Sequence, residues 1–463
     1  MVWNQLDNDS GGVTMNLSDS IEGGVTRRDF LKTVGAGGLA LLATSFPAGI
    51  TARSAKKKII RMITEEVDPN TIGVYDRIIK QFTDQHPDVK IEREYIGFGE
   101  LYQKLMASMA TGNPPQLMRL DLEILDLVTK DLLMPVTDVI KEISPGADYL
   151  SLMPYVWNGE HLTVPVAGET DAIWYRKDLF EEKGLEPPTS WEDILEAAEA
   201  LTEGDQYGIV MPMGRSRIGS DFFLEFFWAA GGRVLANKPY DELSQEDILF
   251  DGPEARETLE FVKKLYQYSP PGSASYSWGE ARSSYYSGEA AMTRYAGRVF
   301  AETYQNAPEL ANVTGIAKIP TPKGRPTKIR SISKSAGWCL AKNSQYPDLC
   351  KEFVKALTTG ELYIELLHSV PVHNVPPRYS VVESDAFWDH KVYREHPEIE
   401  RTILDEVWED GCKGYEYVEN PHPQLPIIAN KLAFTDMMQE YLIKNSSLDR
   451  SIKIAVDGIK SEL

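Results

Sequence analysis

The stretch from Lys58 to Leu120 switches repeatedly between two hydrophobic periods, and this limits the possible fold more than any other feature of the chain. Lys58 to Ile63 reads as a strand ending in Thr64-Glu65-Glu66. Val74, Tyr75, Ile78, Ile79 and Phe82 then recur at helical spacing until Pro87 stops them. Val89 to Tyr95 is a second strand. Leu101, Leu105 and Met109 mark another helix, closed by Gly112 and Pro114-Pro115, and Leu117 to Leu120 is a third strand. This order predicts an α/β fold, a parallel sheet with helices on its faces. Ligands of such sheets sit beyond the carboxyl ends of the strands. Those ends carry Glu65-Glu66, Ile96 to Phe98, and Asp121.

The 463 residues are enough for two or three domains, or for one large two-lobed body. An apolar share of 42% against 25% charged predicts a packed core. A formal net charge of -21 argues against a nucleic-acid partner and against docking on an anionic membrane, and reads as solubility or salt adaptation. The three cysteines, Cys339, Cys350 and Cys412, form neither a disulfide framework nor a zinc pattern. Buried thiols are expected, with a Cys339–Cys350 bridge left open.

The N-terminal segment reads as an address. Arg27-Arg28 precede an apolar, Gly-rich run from Val34 to Ile50, then small residues at Ala52 and Ser54. Twin arginines before a modest hydrophobic segment are a twin-arginine (Tat) export signal, assigned here to residues 1–55. An uncleaved anchor and a start at Met15 both remain open. No Cys follows the run to accept a lipid.

Further along, Leu162 to Ala167 and Ala172 to Tyr175 read as two strands separated by a Gly168-Glu169 break, followed by a helix start at Lys177-Asp178-Leu179-Phe180. Gly accepts backbone angles that other residues resist, so the break reads as a hinge. Thr189-Ser190-Trp191-Glu192 signals a helix N-terminus. Tyr207 to Met211, Gly288 to Met292, Gly315 to Pro320 and Ala336 to Ala341 read as strands. Phe222 to Trp228, Pro253 to Tyr268, Asp348 to Leu357, Ile428 to Ile443 and Leu448 to Ile459 read as helices.

Several of these segments resemble the family 1 extracellular solute-binding proteins of ABC importers, whose best-known members bind maltose and other sugars. Tyr175-Arg176-Lys177-Asp178-Leu179-Phe180 with Gly184-Leu185, Pro187-Pro188 and Trp191 is similar to that family's interlobe crossover. Met109 to Pro115, Gly288 to Met292 and Pro320 to Gly324 resemble further family elements, so the likeness covers nearly all of the chain after the signal. The resemblance implies a two-lobed periplasmic-binding-protein fold (type II), with a ligand cleft between lobes joined by three crossovers. These fall near Gly168 to Asp171, Gly315 to Thr321 and Leu367 to Val372. Lobe one is then 57–168 plus 321–369, and lobe two 169–318 plus 370–463. The implied partners are a small solute and an ABC permease. A monomer without cofactor or metal is expected.

Sugars are gripped by aromatic faces and by planar hydrogen-bonding groups. Trp228, Trp278, Tyr295, Trp338 and Phe98 are the stacking candidates, each weighed against ordinary core packing. Glu169 matches a ligand-binding Glu of maltose-type members by resemblance. Glu66 and Asp121 stand at strand ends, where a helix cap or a solvated acid is the alternative. Gln116 stands where the family usually has Asp. Arg298 stands where sugar-binding members often place an aromatic. At a helix start its charge opposes the dipole, so a carboxylate of the protein or of the ligand should compensate it. Arg298, with Arg215 and Arg217 in one loop, raises the expectation of an acidic sugar such as a uronic acid. The alternatives are a sensor partner binding the same solute, and a secreted glycan-active enzyme. No carboxylate pair can be placed for glycoside hydrolysis, and the common catalytic motifs are missing from the sequence, so an enzyme is not expected.

Overall fold

The computed structural model describes residues 57–97, 100–121, 124–146, 148–150, 155–412, 416–417 and 422–463. The export-signal reading, with its twin arginines, lies outside the described residues, as does Phe98.

Strand β1 (Lys58–Thr64) pairs in parallel with β2 (Val89–Tyr95) and β3 (Leu117–Leu120). The helix Pro69–Gln85 connects β1 to β2. It starts because Asp68 caps it, accepting from the Asn70 N–H at 2.8 Å, and Pro69 fits the first turn. Its buried stripe is Val74, Tyr75, Ile78, Ile79 and Phe82, and His86-Pro87 ends it. Each such side chain contributes about 1.5–3 kcal/mol by leaving water.

Two long antiparallel strands then carry the sheet onward. β7 (Val164–Arg176) pairs with β10 (Ser331–Ala341), and β10 continues antiparallel to β3. The strands between β3 and β7 are short: β4 (Leu133–Met134), β5 (Val156–Trp157) and β6 (Glu160–His161). The far half of β7 pairs with β8 (Met292–Ala296) and β9 (Thr314–Ala317), and β11 (Gly411–Cys412) adds to β10. Both long strands therefore pass through more than one core. Val164, Val166, Trp338 and Leu340 pack with the helix stripe above. Ile173 and Ile332 pack instead with Phe222, Phe223, Phe226 and Phe227 of the helix Arg217–Ala229.

The break expected at Gly168-Glu169 is not there. β7 is one strand of 13 residues. Gly168 is paired on both sides: against Ser335 of β10, and against Val375, whose N–H and C=O bond it at 2.9 and 2.8 Å. With both edges occupied the backbone stays extended, whatever freedom glycine has. The expected strand over 207–211 is reduced to single bridges at Tyr207 and Val210. The expected strand over 288–292 starts only at Met292. The expected C-terminal helix over 428–443 is two, Gln424–Asn430 and Ala433–Leu442, because Leu432 turns left-handed at φ 66°.

Cys339 and Cys350 are both buried but belong to different cores, and no bridge joins them. Burial pushes the Cys339 thiol above its usual range. Excess reductant should leave the melting temperature unchanged; a drop in a calorimetric scan would contradict this arrangement.

Candidate functional site

The strand ends and the two long strands surround a cavity of about 340 Å³. Glu65 and Glu66 reach it from the end of β1, Gly97 from beyond β2, and Arg119 from β3. Glu169, Asp171 and Lys334 enter from β7 and β10. Trp278 and Arg282 come from the helix Trp278–Tyr286, Tyr295 from β8, and Arg298 from the first turn of the helix Arg298–Asn306.

Local chemistry sets each of these positions. A Ser277–Glu280 capping box starts the helix that carries Trp278. Trp278 and Arg282 are four residues apart, on one helix face. The Arg282 guanidinium sits 4.4 Å from the Trp278 ring centre and 5.5 Å from that of Tyr295, with Glu302 at 3.1 Å. Burial lowers the Arg282 pKa, and Tyr295 and Glu302 oppose this, while the aromatic faces add cation–π contact. Gly297 precedes Arg298 because nothing larger fits: a Cβ there would lie 2.1 Å from the Val372 carbonyl oxygen. Val372 itself has φ 71°, a strained conformation for a β-branched residue, and donates its N–H to the Tyr393 hydroxyl at 3.1 Å. The next residue, His373, lines the cavity.

Arg298 is held by two carboxylates. It donates to Glu66 at 3.0 Å and to Asp68 at 3.2 Å. Burial disfavours its charge, but Glu66, Glu169 and Asp68 outweigh this and raise its pKa. These carboxylates also offset the helix dipole. Lys334 holds Asp121 at 2.9 Å and lies 3.5 Å from Glu169. Burial would raise the Glu169 pKa, yet Lys334 leads the opposing charges and holds it at about 2. His373, 3.7 Å from Glu169, is pushed down to about 3, first by burial and then by Arg298 and Lys334, so it is neutral at ordinary pH. Arg294, which does not line the cavity, holds Asp171 at 2.8 Å.

The sequence candidates divide accordingly. Glu66, Glu169, Trp278, Tyr295 and Arg298 come together around the cavity, and Trp278 is 39% exposed, available to a flat ligand face. Asp121 lies one layer behind, on Lys334, and does not line the cavity. Trp228 is fully buried and donates its indole N–H to Glu416 at 2.7 Å. Trp338 is fully buried on β10, edge-on to Tyr75 at 5.9 Å. Neither ring reaches the cavity, so both are core side chains. Arg215 is exposed and paired with Asp436 at 2.5 Å, away from the cavity. Sequence reasoning placed Glu65 at a strand end without singling it out, and passed over Arg119, Asp171, Arg282, Lys334 and His373. Two of them left a signal: Arg282 at helical spacing from Trp278, and Lys334 alone among small residues in an otherwise buried strand.

Residues 68–361, more than half of the chain, match the family described as bacterial extracellular solute-binding protein. A putative ABC transporter periplasmic-binding protein of Escherichia coli is 21% identical over 382 residues, covering 80% of this chain and 84% of the relative. A mannitol-binding protein of Pseudomonas aeruginosa is 28% identical over 331 residues, covering 67% of this chain and 72% of the relative. Among solved structures, a solute-binding protein of Agrobacterium radiobacter in complex with ribitol superposes with a TM-score of 0.73 at 19% identity, covering 88% of this chain and 98% of that one. A maltose-bound protein of T. maritima gives 0.72 at 20%, covering 88% and 100%. The fold is thus the two-lobed α/β fold of periplasmic binding proteins. The family binds solutes outside the cytoplasm rather than transforming them, and this chain belongs to it: it is a bacterial extracellular solute-binding protein.

Proposed function

We propose that this protein is the solute-capturing component of an ABC importer, that its solute is a carbohydrate or polyol held in the cavity at Glu169, and that the two lobes close over it and present it to a membrane permease. The observation that carries the solute class is the pairing of charges. Arg298, the residue that suggested an acidic sugar, already has two carboxylates, and Lys334 has two as well. A solute carboxylate would compete with these at a loss. A neutral solute with many hydroxyls can instead both donate to and accept from the engaged groups, while Trp278 offers its face to a ring. The mannitol-binding relative, and the structural neighbours carrying ribitol or maltose, support the same class. A thermal-shift screen of neutral sugars, polyols and sugar acids tests it, since a bound solute raises the melting temperature. Stabilisation by sugar acids alone would refute the neutral assignment.

The lobes are assigned to 57–168 with 321–369 and to 169–318 with 370–463, and residues 1–55 to a twin-arginine signal. On that assignment Glu66 and Asp68 belong to one lobe and Arg298 to the other. Their ion pairs then bridge the cleft without any solute and favour the closed state. Arg298→Ala should raise the radius of gyration of the solute-free protein in small-angle scattering. An unchanged radius would remove the latch from the mechanism.

A further inference from the structure

Most carboxylates around the cavity hold a cation. Glu66 and Asp68 hold Arg298, Asp171 holds Arg294, Asp221 holds Arg217, and Glu302 holds Arg282. Glu65 and Glu169 are paired more loosely. Among the described residues neither side chain is engaged in a hydrogen bond; Glu169 has Lys334 at 3.5 Å and His373 at 3.7 Å, and Glu65 has only Arg119 at 3.8 Å. The Glu65 side chain is 9% exposed. It lines both the main cavity and a second one of about 380 Å³, whose wall includes Tyr102, Arg217 and Trp278. It is therefore a nearly buried carboxyl that borders two cavities and makes no hydrogen bond to a described residue.

We propose that Glu65 is a solute-contacting, specificity-determining residue, meeting the solute as a neutral acid that donates to one hydroxyl, while Glu169 accepts from a neighbouring hydroxyl as a carboxylate. This rests on the carbohydrate or polyol reading above and adds the division of labour within the site. Two nearly buried carboxyls facing one cavity do not both ionise readily, and their surroundings decide which yields. Around Glu65 stand Asp121 beyond β3, Arg119 on β3, Glu169 on β7 and Lys334 on β10, with Tyr102 and Arg217 across the second cavity. Burial and then Asp121 push the Glu65 carboxyl up to about 8, against the pull of Lys334 and Arg119. Lys334 lies close to Glu169 and keeps it ionised. Adjacent hydroxyls of a sugar or polyol suit such a pair, since each can give one hydrogen bond and take another.

Calorimetry at pH 6.5 and pH 9.5, on wild type, E65Q and E65A, with D-mannitol, ribitol, maltose and maltotriose as probes, tests this. If only the protonated form binds, the wild-type Kd for a bound probe rises about thirtyfold between the two pH values, the competent fraction falling by that factor. E65Q, which keeps a donor but not the acid, binds severalfold more weakly at pH 6.5 and shows no further loss at pH 9.5. E65A loses binding more than tenfold at pH 6.5. A wild-type Kd that ignores pH, or a pH dependence that survives in E65Q, overturns the proposal. Carbon-13 spectra of glutamate-labelled protein without solute read the same carboxyl directly. A resonance titrating near pH 8 that vanishes in E65Q supports the proposal, and its absence overturns it. Failure of all four probes with that resonance present would instead sink the solute class and leave the neutral acid standing.

Discussion

Glu225→Ala is expected to lower the free energy of unfolding by about 3–5 kcal/mol, the range for removing one partner of a buried ion pair. Glu225 and Arg294 are both fully buried. The Arg294 guanidinium contacts Glu225 through Nε and Asp171 through a terminal nitrogen at 2.8 Å. The other Glu225 oxygen accepts from the Ile332 N–H at 2.7 Å. Truncation strands a guanidinium with one partner and leaves a backbone donor of β10 unpaired, and each group loses its water on folding. The effect reaches the cavity, because Arg294 is what fixes Asp171 in its wall. Replacing the pair together, Glu225→Leu with Arg294→Met, removes both buried charges and should recover much of the loss. Urea denaturation reads all three proteins. A single-variant loss below about 1 kcal/mol would mean that water reaches the pair and that the triad does not fix the joint between β7, β8 and the Phe-rich helix.

The parts of this molecule that follow from local rules were legible in the sequence. Lys58 to Leu120 folded as its periodicity requires: Asp68 and Pro69 start the first helix, and both helices stop before prolines, Pro87 and Pro114. What sequence could not show was pairing at a distance. Gly168 looked like a break because the partners that hold it extended, Ser335 and Val375, lie more than 160 residues away. The site was legible by location and less so by identity. Strand ends pointed to Glu65-Glu66 and the choice fell on Glu66, but Glu65 has the more loosely held carboxyl, because Arg298 comes from 232 residues further on to take up Glu66. The need of Arg298 for a compensating carboxylate was readable from its place at a helix start; whether protein or solute supplied it was not. Trp228 and Trp338 show the same limit. Burial decides what an aromatic does, and it is set by the whole fold.

Glu400→Leu should stabilise the protein by about 2 kcal/mol even near pH 5, the usual cost of a buried polar group without a partner, and by more as pH rises. Glu400 lies in the helix Pro397–Thr402 with no exposed surface, and both carboxyl oxygens lack a hydrogen-bond partner. Its neighbours Ile399 and Ile403 belong to the apolar core, as does Tyr393, whose hydroxyl feels its charge. Burial alone pushes its pKa well above the usual range. The folded state therefore keeps a proton that the unfolded chain gives up. The contribution of Glu400 is most favourable below the unfolded value and is lost as pH rises toward the folded one, at about 1.4 kcal/mol per pH unit. Glu65 and Glu416, raised by burial to about 8 and about 7, slope the same way. His373 and His390, lowered by burial to about 3 and about 4, slope oppositely, but only below the normal histidine range. Urea midpoints at pH 5, 7 and 9 separate these contributions, because both proteins share every group except one. The advantage of Glu400→Leu over wild type should widen steadily from pH 5 upward. A gap of the same size at all three values would show that Glu400 ionises freely in the fold, which its surroundings as described do not allow.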